Sequence, residues 1–415
     1  MSSCTFTQDH YFTQKQRQGQ HNFFKNCIPA TAQFNIVQRL TVGLSTLHNE
    51  IYEKKLDTSY INTNIKVKVN RQEFPKSYQI LACRYRVLNK IGNGTFSQVV
   101  CAEDTYYPER RLVAIKIMFP GFNPIGIQES KTLRYLNLQA TNDNTHIVRL
   151  LNTFMFKTRF CMVFDYYEGG VPRIHHMANE QYKLLALRKL ACQLLIALMY
   201  TRKLGILHAD LKLENIICTA DASLELRVID FGNAMRIEET HKYFDTFNVQ
   251  TLSYRAPEVI MGLPFGIGID IWSFGCIICQ IWLGRPIFSS SNKLGIIREI
   301  EQFLGPLPVS IYKHGKFFAD YKSNGGIVEN ENVSRSTRME KFCRLLNTCD
   351  INFVGFIDYI FNYDPIKRPT PSECLFHPFF TSLFPFKLLF DSQLMTTAIG
   401  ETFINDDQIQ RNNEY

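Results

Sequence analysis

Residues 208–215 read HADLKLEN, residues 230–232 read DFG and residues 256–258 read APE, in that order along the chain. Their order and spacing assign three tasks to one site. One carboxylate faces a hydroxyl, a carboxylate and an amide hold a divalent cation, and a third carboxylate clamps the segment between them. A chain with these motifs must fold so that loops well apart in sequence meet in one cleft.

The bounds on the chain allow such a fold. At 415 residues, 45% hydrophobic and 13% aromatic, it suffices for one two-lobed unit plus an extension, or for two to three small domains, and disorder of the whole is excluded. A balance of 46 basic against 38 acidic residues gives a net charge of +8, suited to nucleotides or acidic partners but thinly spread. No run of five basic residues occurs, so nucleic-acid binding is not expected. The twelve cysteines form no disulfide-like framework and follow no charged, apolar leader, which predicts a soluble protein in a reducing setting, cytoplasmic and/or nuclear. Cys276 and Cys279 share one face of the apolar stretch IWSFGCIICQIW and read as core packing. That stretch is shorter than the about 20 apolar residues a membrane span needs, so no membrane partner is expected. Cys4, His10, His21 and Cys27 lack a zinc spacing.

Residues 1–60 are rich in Gln, Asn, Thr and His without a sustained period and read as a flexible leader. Residues 61–84 form a short extension in which Ile65, Val67 and Val69 alternate as a strand expected to pack on the strands C-terminal to it. From Tyr85 the pattern is strand, glycine turn, strand, turn, strand, then a helix on which Glu129, Leu133 and Leu136 share a face, then two apolar strands ending near Asp165. Five strands are predicted. Leu187, Leu190, Ala191, Leu194, Leu198 and Met199 mark a long amphipathic helix leading to residue 208. Short strands near 216–217 and 226–229 flank the next loop, with Asp230 closing the second. From about 259 to 380 the chain reads as helices and loops, with a Gly, Asn and Ser rich interval near 320–336. Residues 381–415 are a C-terminal tail.

Lys116 ends VAIK on an otherwise apolar strand, where an ammonium requires a paired anion. Glu129 on the following helix is the natural partner, turned inward by its offsets to Leu133 and Leu136. Asp210 can accept a hydrogen bond from a hydroxyl, orient it for in-line attack and take its proton late. Lys212 then reaches the transferring group, and Asn215 offers an amide oxygen to Mg²⁺. Asp230 supplies a second metal ligand, since Mg²⁺ prefers one or two carboxylates with phosphate oxygens and water.

Taken in order over residues 85–380, these motifs resemble those of the protein kinases. TFNVQTLSYRAPEVIMGLPFGIGIDIWSFGCII, FLGPLP and HAD in place of HRD are similar, more narrowly, to the CMGC group and its dual-specificity tyrosine-regulated (DYRK) family. The resemblance implies an α+β, bilobal fold: a small antiparallel β-rich N-lobe with one main helix (85–165) and a larger, mainly helical C-lobe (166–380). It implies ATP and Mg as cofactors and Ser/Thr hydroxyls of protein substrates as acceptors. Residues 91–99 resemble the glycine-rich loop, so Ile91, Gly92, Asn93, Gly94, Thr95 and Phe96 are expected over the nucleotide, with Phe96 as its cap and Ser97 at the third glycine position loosening the fit. Phe164 matches the gatekeeper, the backbone of Asp165 to Tyr167 would bond adenine, and Val99, Ala114 and Ile217 would sandwich it. The Lys116–Glu129 pair would touch the phosphates. Thr251 is expected to bond Asp210 and Lys212. His208 and Phe231 are packing residues, Gly232 a hinge, Glu258 and Arg368 a buried anchor pair, and Asp270 and Trp272 part of the helix under the catalytic loop.

Three departures go together. The tyrosine that DYRK members autophosphorylate aligns with Asn248, the CMGC arginine with Leu252, and the HRD arginine with Ala209. A phosphate ordering this segment would lack its usual basic partners, so the segment is expected to fold without one, and proline-directed specificity is open. Leu213 replaces a proline, with little catalytic weight. The competing function is a pseudokinase scaffold that binds partners without phosphotransfer; intact Lys116, Asp210, Asn215 and Asp230 count against it. A small-molecule kinase would not need the APE clamp.

Overall fold

The structure, a computed structural model, describes residues 79–140, 145–219, 224–244, 249–326, 333–381 and 383. The alternating strand at Ile65–Val69, the Cys4/His10/His21/Cys27 set and Asn248 lie outside the described residues.

Strands β1 (Ile80–Leu81), β2 (Tyr85–Asn93), β3 (Ser97–Asp104), β4 (Arg111–Met118), β5 (Leu150–Phe156) and β6 (Arg159–Asp165) form one antiparallel sheet in the order β1-β2-β3-β4-β6-β5. The expected five strands are thus six. Two residues carry too short a pattern to read, yet Ile80 and Leu81 pair with Arg86 and Tyr85, and Leu81 is fully buried. Alternation along β4 sets the rest: Val113, Ile115 and Ile117 are buried in the core on one face of the sheet. Ala114 and Lys116 fall on the opposite face. Helix α1 (Asn123–Gln139) buries Glu129, Leu133 and Leu136, as their spacing predicts.

Beyond Asp165 the chain is mainly helical. Helix α2 (Glu180–Lys203) starts at Asn179, whose side chain accepts from the Tyr182 N–H, and all six residues of the predicted stripe are buried. It is long and apolar enough to cross a membrane, but that stripe belongs to the core of the lobe. Short strands β7 (Gly169–Gly170), β8 (Ile206–Leu207), β9 (Ile216–Cys218), β10 (Leu226–Val228) and β11 (Met235–Arg236) pair in two small antiparallel sheets beside it. β10 stops before Asp230, which was expected to close it. Asp230 instead has φ 62° and ψ 71°, a left-handed turn that a strand cannot continue through.

Helices α3 (Pro257–Met261), α4 (Gly268–Leu283) and α5 (Lys293–Leu304) come after the third motif has begun. α4 is apolar all round and buried, its Cys276 and Cys279 packed as free thiols. At Gly275 the helix 351–360 comes so close that a Cβ would lie 2.7 Å from Ile360. The polar interval near 320 is narrower than predicted, since 318–323 is helical and Ser334 caps a helix over 335–346. These parts make the two-lobed α+β fold the motifs imply.

Glu258 and Arg368 tie the chain end of this lobe to the third motif. Arg368 Nη1 and Nη2 each donate to one Glu258 oxygen at 2.6 Å, and both side chains are sealed from solvent. Two further bonds, to the Asn362 and Gly268 carbonyls, satisfy the guanidinium. A bidentate pair this well satisfied offsets its own desolvation, whereas either ion alone does not. Glu258→Ala should therefore lower unfolding free energy by roughly 3–5 kcal/mol in a denaturant titration, and a double Glu258→Leu/Arg368→Met variant should lose less.

Candidate active site

Lys116 sits at the middle of the sheet, in register with Val99 on one side and Met162 on the other. Its Nζ donates to both oxygens of Glu129 at 2.8 Å and to Asp230 Oδ1 at 2.8 Å. Glu129 is 1% exposed and the Lys116 side chain 14%, while 43% of the Asp230 side chain remains open. Burial pushes the Lys116 ammonium down, but the charges of Glu129 and Asp230 outweigh it and hold it above its ordinary range. Burial likewise pushes the Asp230 carboxyl up, and the Lys116 charge and hydrogen bond outweigh that and keep it low. At Gly232 a Cβ would stand 3.2 Å from Asp230 Oδ1 and 3.6 Å from Glu129 Oε2, so glycine leaves room for this three-charge junction.

Asp210 is held from two sides. Its Oδ1 accepts from the Thr251 N–H at 3.0 Å and the Thr251 hydroxyl at 2.8 Å, and its Oδ2 accepts from Lys212 Nζ at 2.8 Å. Lys212 also donates to Thr251 Oγ1 at 3.1 Å, so the expected three-residue contact forms. The loop carrying Asp210 is set by Asp270, whose carboxylate accepts from the His208 N–H at 2.8 Å and the Ala209 N–H at 3.1 Å. His208 packs on Phe231 with ring centroids 4.8 Å apart and bonds the Ile229 carbonyl, a structural placement.

Asn215 Nδ2 donates to the Asp210 carbonyl at 2.9 Å, which leaves its Oδ1 as the free acceptor. Among the described residues no group of three His, Cys, Asp or Glu side chains could hold a metal. Asp230, with part of its carboxylate open, and Asn215 Oδ1 offer the hard oxygen donors that Mg²⁺ takes beside phosphate oxygens and water.

The glycine loop closes as a hairpin between β2 and β3. Gly92 and Gly94 have no left-handed backbone, and Gly94 N–H donates to the Ser97 carbonyl at 2.9 Å. Ser97 is buried, and its Oγ lies 3.8 Å from where a Cβ at Gly94 would stand. Phe96 leans on Phe122 at the head of α1, centroids 5.1 Å apart, and its carbonyl accepts from Phe119. Ile91, Asn93 and Thr95 are exposed along the same loop. Ala114 and Phe164 are register partners, and Val99, Ala114, Ile217 and Tyr167 are half-buried.

Residues 85–380 match the family model described as the protein kinase domain. The chain belongs to the protein kinase family. It is 28% identical over 383 residues to the serine/threonine-protein kinase ppk15 of Schizosaccharomyces pombe, covering 80% of this chain and 70% of that one. It is 29% identical over 306 residues to the human dual specificity tyrosine-phosphorylation-regulated kinase 4, covering 72% of this chain and 57% of that one. It therefore spans little more than half the length of the human relative. A crystal structure of a kinase domain matches with a TM-score of 0.62 at 22% identity, covering 74% of this chain and 98% of its own. DYRK kinases are thus among the relatives, and together with the domain match these homologues support a protein serine/threonine kinase.

Sequence reasoning missed several residues of the kinase site. Gln250 is 4% exposed and its side chain donates to the Ile269 carbonyl at 2.9 Å and Ser273 Oγ at 2.7 Å while accepting from Ala256 N–H at 3.0 Å. Its own N–H donates to the Ala209 carbonyl at 2.9 Å. It joins catalytic loop, third motif and α4, and a glutamine in the mixed polar stretch TFNVQTLSY gives no sign of that. Asn233 adds a weaker bond to Asp210 Oδ2 at 3.4 Å. Arg111 and Arg149 hold the Asp165 carboxylate at 2.7 and 3.0 Å, fixing the start of the linker between lobes. Gln250→Leu should cost roughly 1–3 kcal/mol for the buried partners left unbonded. Turnover should fall with it while ATP affinity holds, a split that denaturant titration, kcat and a nucleotide titration would read together.

Proposed function

We propose that this kinase transfers the γ-phosphate of ATP to Ser or Thr hydroxyls of protein substrates in the presence of Mg²⁺. The observation that carries the reading is the joint assembly of Asp210–Lys212–Thr251 and Lys116–Glu129–Asp230 in one cleft. Asp210, immobilised through both oxygens, orients the acceptor hydroxyl and receives its proton as the new P–O bond forms. Lys212, already neutralising Asp210, lies where negative charge builds on the transferring group. Lys116 presents an ammonium to the nucleotide phosphates from a position fixed by Glu129. Bound Mg²⁺ would neutralise phosphate charge, with Asp230 and Asn215 as its protein ligands. Ile91, Gly92, Asn93, Gly94, Thr95 and Phe96 cover the nucleotide, Val99, Ala114 and Ile217 flank its base, and the backbone of Asp165 and Tyr167 beside Phe164 bonds its edge.

The same reading holds the centre ready in the unmodified chain. Gln250 and Thr251 bind the segment to the catalytic loop with neutral groups, and Leu252 and Ala209 stand where basic residues would meet a phosphate.

Transfer from labelled ATP to a degenerate Ser/Thr peptide library is the test. Wild type should label the library, and Asp210→Asn should reduce the rate by about 10²–10⁴-fold with nucleotide affinity kept. No labelling by wild type under confirmed ATP binding would contradict the reading and favour a scaffold.

A further inference from the structure

Asp165 ends β6 and opens the linker between the lobes, and its carboxylate is held on both oxygens. Arg111 Nη2 donates to one at 2.7 Å and Arg149 Nε to the other at 3.0 Å. With the Asp165 side chain 20% exposed, this is a partly shielded three-residue network rather than a pair on open surface.

Each arginine is itself anchored. Arg111 opens β4, and its Cζ lies 5.4 Å from the centroid of the Tyr107 ring. Arg84 meets the same ring at 5.8 Å and is bonded to both oxygens of Asp104 at 2.7 and 2.6 Å. Arg149 comes from the segment before β5, where the Val148 N–H donates to the Val228 carbonyl at 3.0 Å and the Val228 N–H to the His146 carbonyl at 2.8 Å. Val228 lies on β10, the strand that leads to Asp230. One oxygen of Asp165 is therefore referenced to the N-lobe sheet and the other to a strand beyond the linker.

Strand alternation shows which part of Asp165 meets the cleft. Asp165 and Val113 are register partners, as are Phe164 and Ala114. Val113 is buried in the core on one face of the sheet, so the Asp165 side chain falls on that side, opposite the face that carries Ala114 and Lys116. The carboxylate thus acts on a nucleotide only through the Asp165 backbone. Adenine offers a donor at N6 beside an acceptor at N1, whereas guanine offers an acceptor at O6 beside a donor at N1. A backbone edge fixed in place matches one order and leaves the other unpaired, and the cost of that mismatch is what gives such a site its selectivity.

We propose that Asp165, clamped by Arg111 and Arg149, is a positioning residue that locks this edge in register with adenine and so sets a preference for ATP over GTP. The inference rests on the phosphotransfer reading, in which the backbone of Asp165 and Tyr167 bonds the base, and adds the device that selects that base.

The test measures KM and kcat with ATP and with GTP for the full chain as wild type, Asp165→Asn, Arg111→Gln/Arg149→Gln and the triple variant, each checked for folding by thermal unfolding. In Asp165→Asn and in the double arginine variant KM for ATP should rise about fivefold, the scale of one lost, partly exposed charged contact, with the change falling on KM rather than kcat. KM for GTP should stay level or fall, so the gap between the two nucleotides narrows. The triple variant should be no worse than either parent, because both arginines act through one carboxylate. Arg149→Lys, which keeps a cation for Asp165, should remain near wild type. A KM for ATP and a GTP-to-ATP ratio equal to wild type in folded Asp165→Asn would overturn the clamp, as would an equal loss for both nucleotides, the signature of a structural role alone. If Asp165→Asn does not fold, Arg149→Gln, whose side chain is half exposed, carries the same comparison. If wild type takes neither nucleotide, the phosphotransfer reading fails, and hydrogen exchange at the amides of residues 165–167 judges the clamp alone. Faster exchange in Arg111→Gln/Arg149→Gln supports it; equal exchange overturns it.

Discussion

The carboxylate of Asp270, buried at the start of α4, fixes the loop on which the rest of the site depends. It takes the N–H groups of His208 and Ala209, one on each oxygen. Ala209 has φ 63°, a left-handed conformation that costs a non-glycine residue about 1–3 kcal/mol. Two backbone N–H groups donating to one buried carboxylate hold that conformation in place. The bend they enforce delivers Asp210 to Thr251 and Lys212, and the Ala209 carbonyl is turned to meet the Gln250 N–H. A neutral amide and a buried carboxylate are thus the groups that bond this loop from either side.

The second joint is electrostatic and spans both lobes. Lys116 on β4, Glu129 on α1 and Asp230 after β10 meet at 2.8 Å, so the sheet, its helix and the metal-binding turn share one ammonium. Two carboxylates meet one cation at this junction, and Asp230, the more open of the two, is the one placed to meet a metal ion. The Phe96–Phe122 contact ties the glycine loop to the same helix. Movement of α1 would accordingly shift both the lysine and the loop above the nucleotide.

The residues legible in the sequence were those whose chemistry is tied to spacing. Lys116 on an apolar strand demanded an anion, and helical offsets turned Glu129 toward it. The Asp210, Asn215 and Asp230 set followed from fixed intervals within and between motifs. Gln250 escaped because an amide that satisfies several backbone groups at once leaves no periodic trace. β1 was too short for alternation to register. Asp230 was placed on a strand because the apolar run Leu226–Ile229 leads into it, whereas its carboxylate reaches Lys116 only through a left-handed turn.

The central claim is that the transfer site is complete in the chain as synthesised, held by Asp270 and Gln250 without a phosphate. The measurement that tests it most directly is peptide phosphorylation by enzyme stripped with a phosphatase, with intact mass confirming that no phosphate remains. The account predicts the same initial rate as untreated enzyme, before any new modification accumulates. A rate reduced to background that returns only as a phosphate appears between residues 233 and 253 would contradict it.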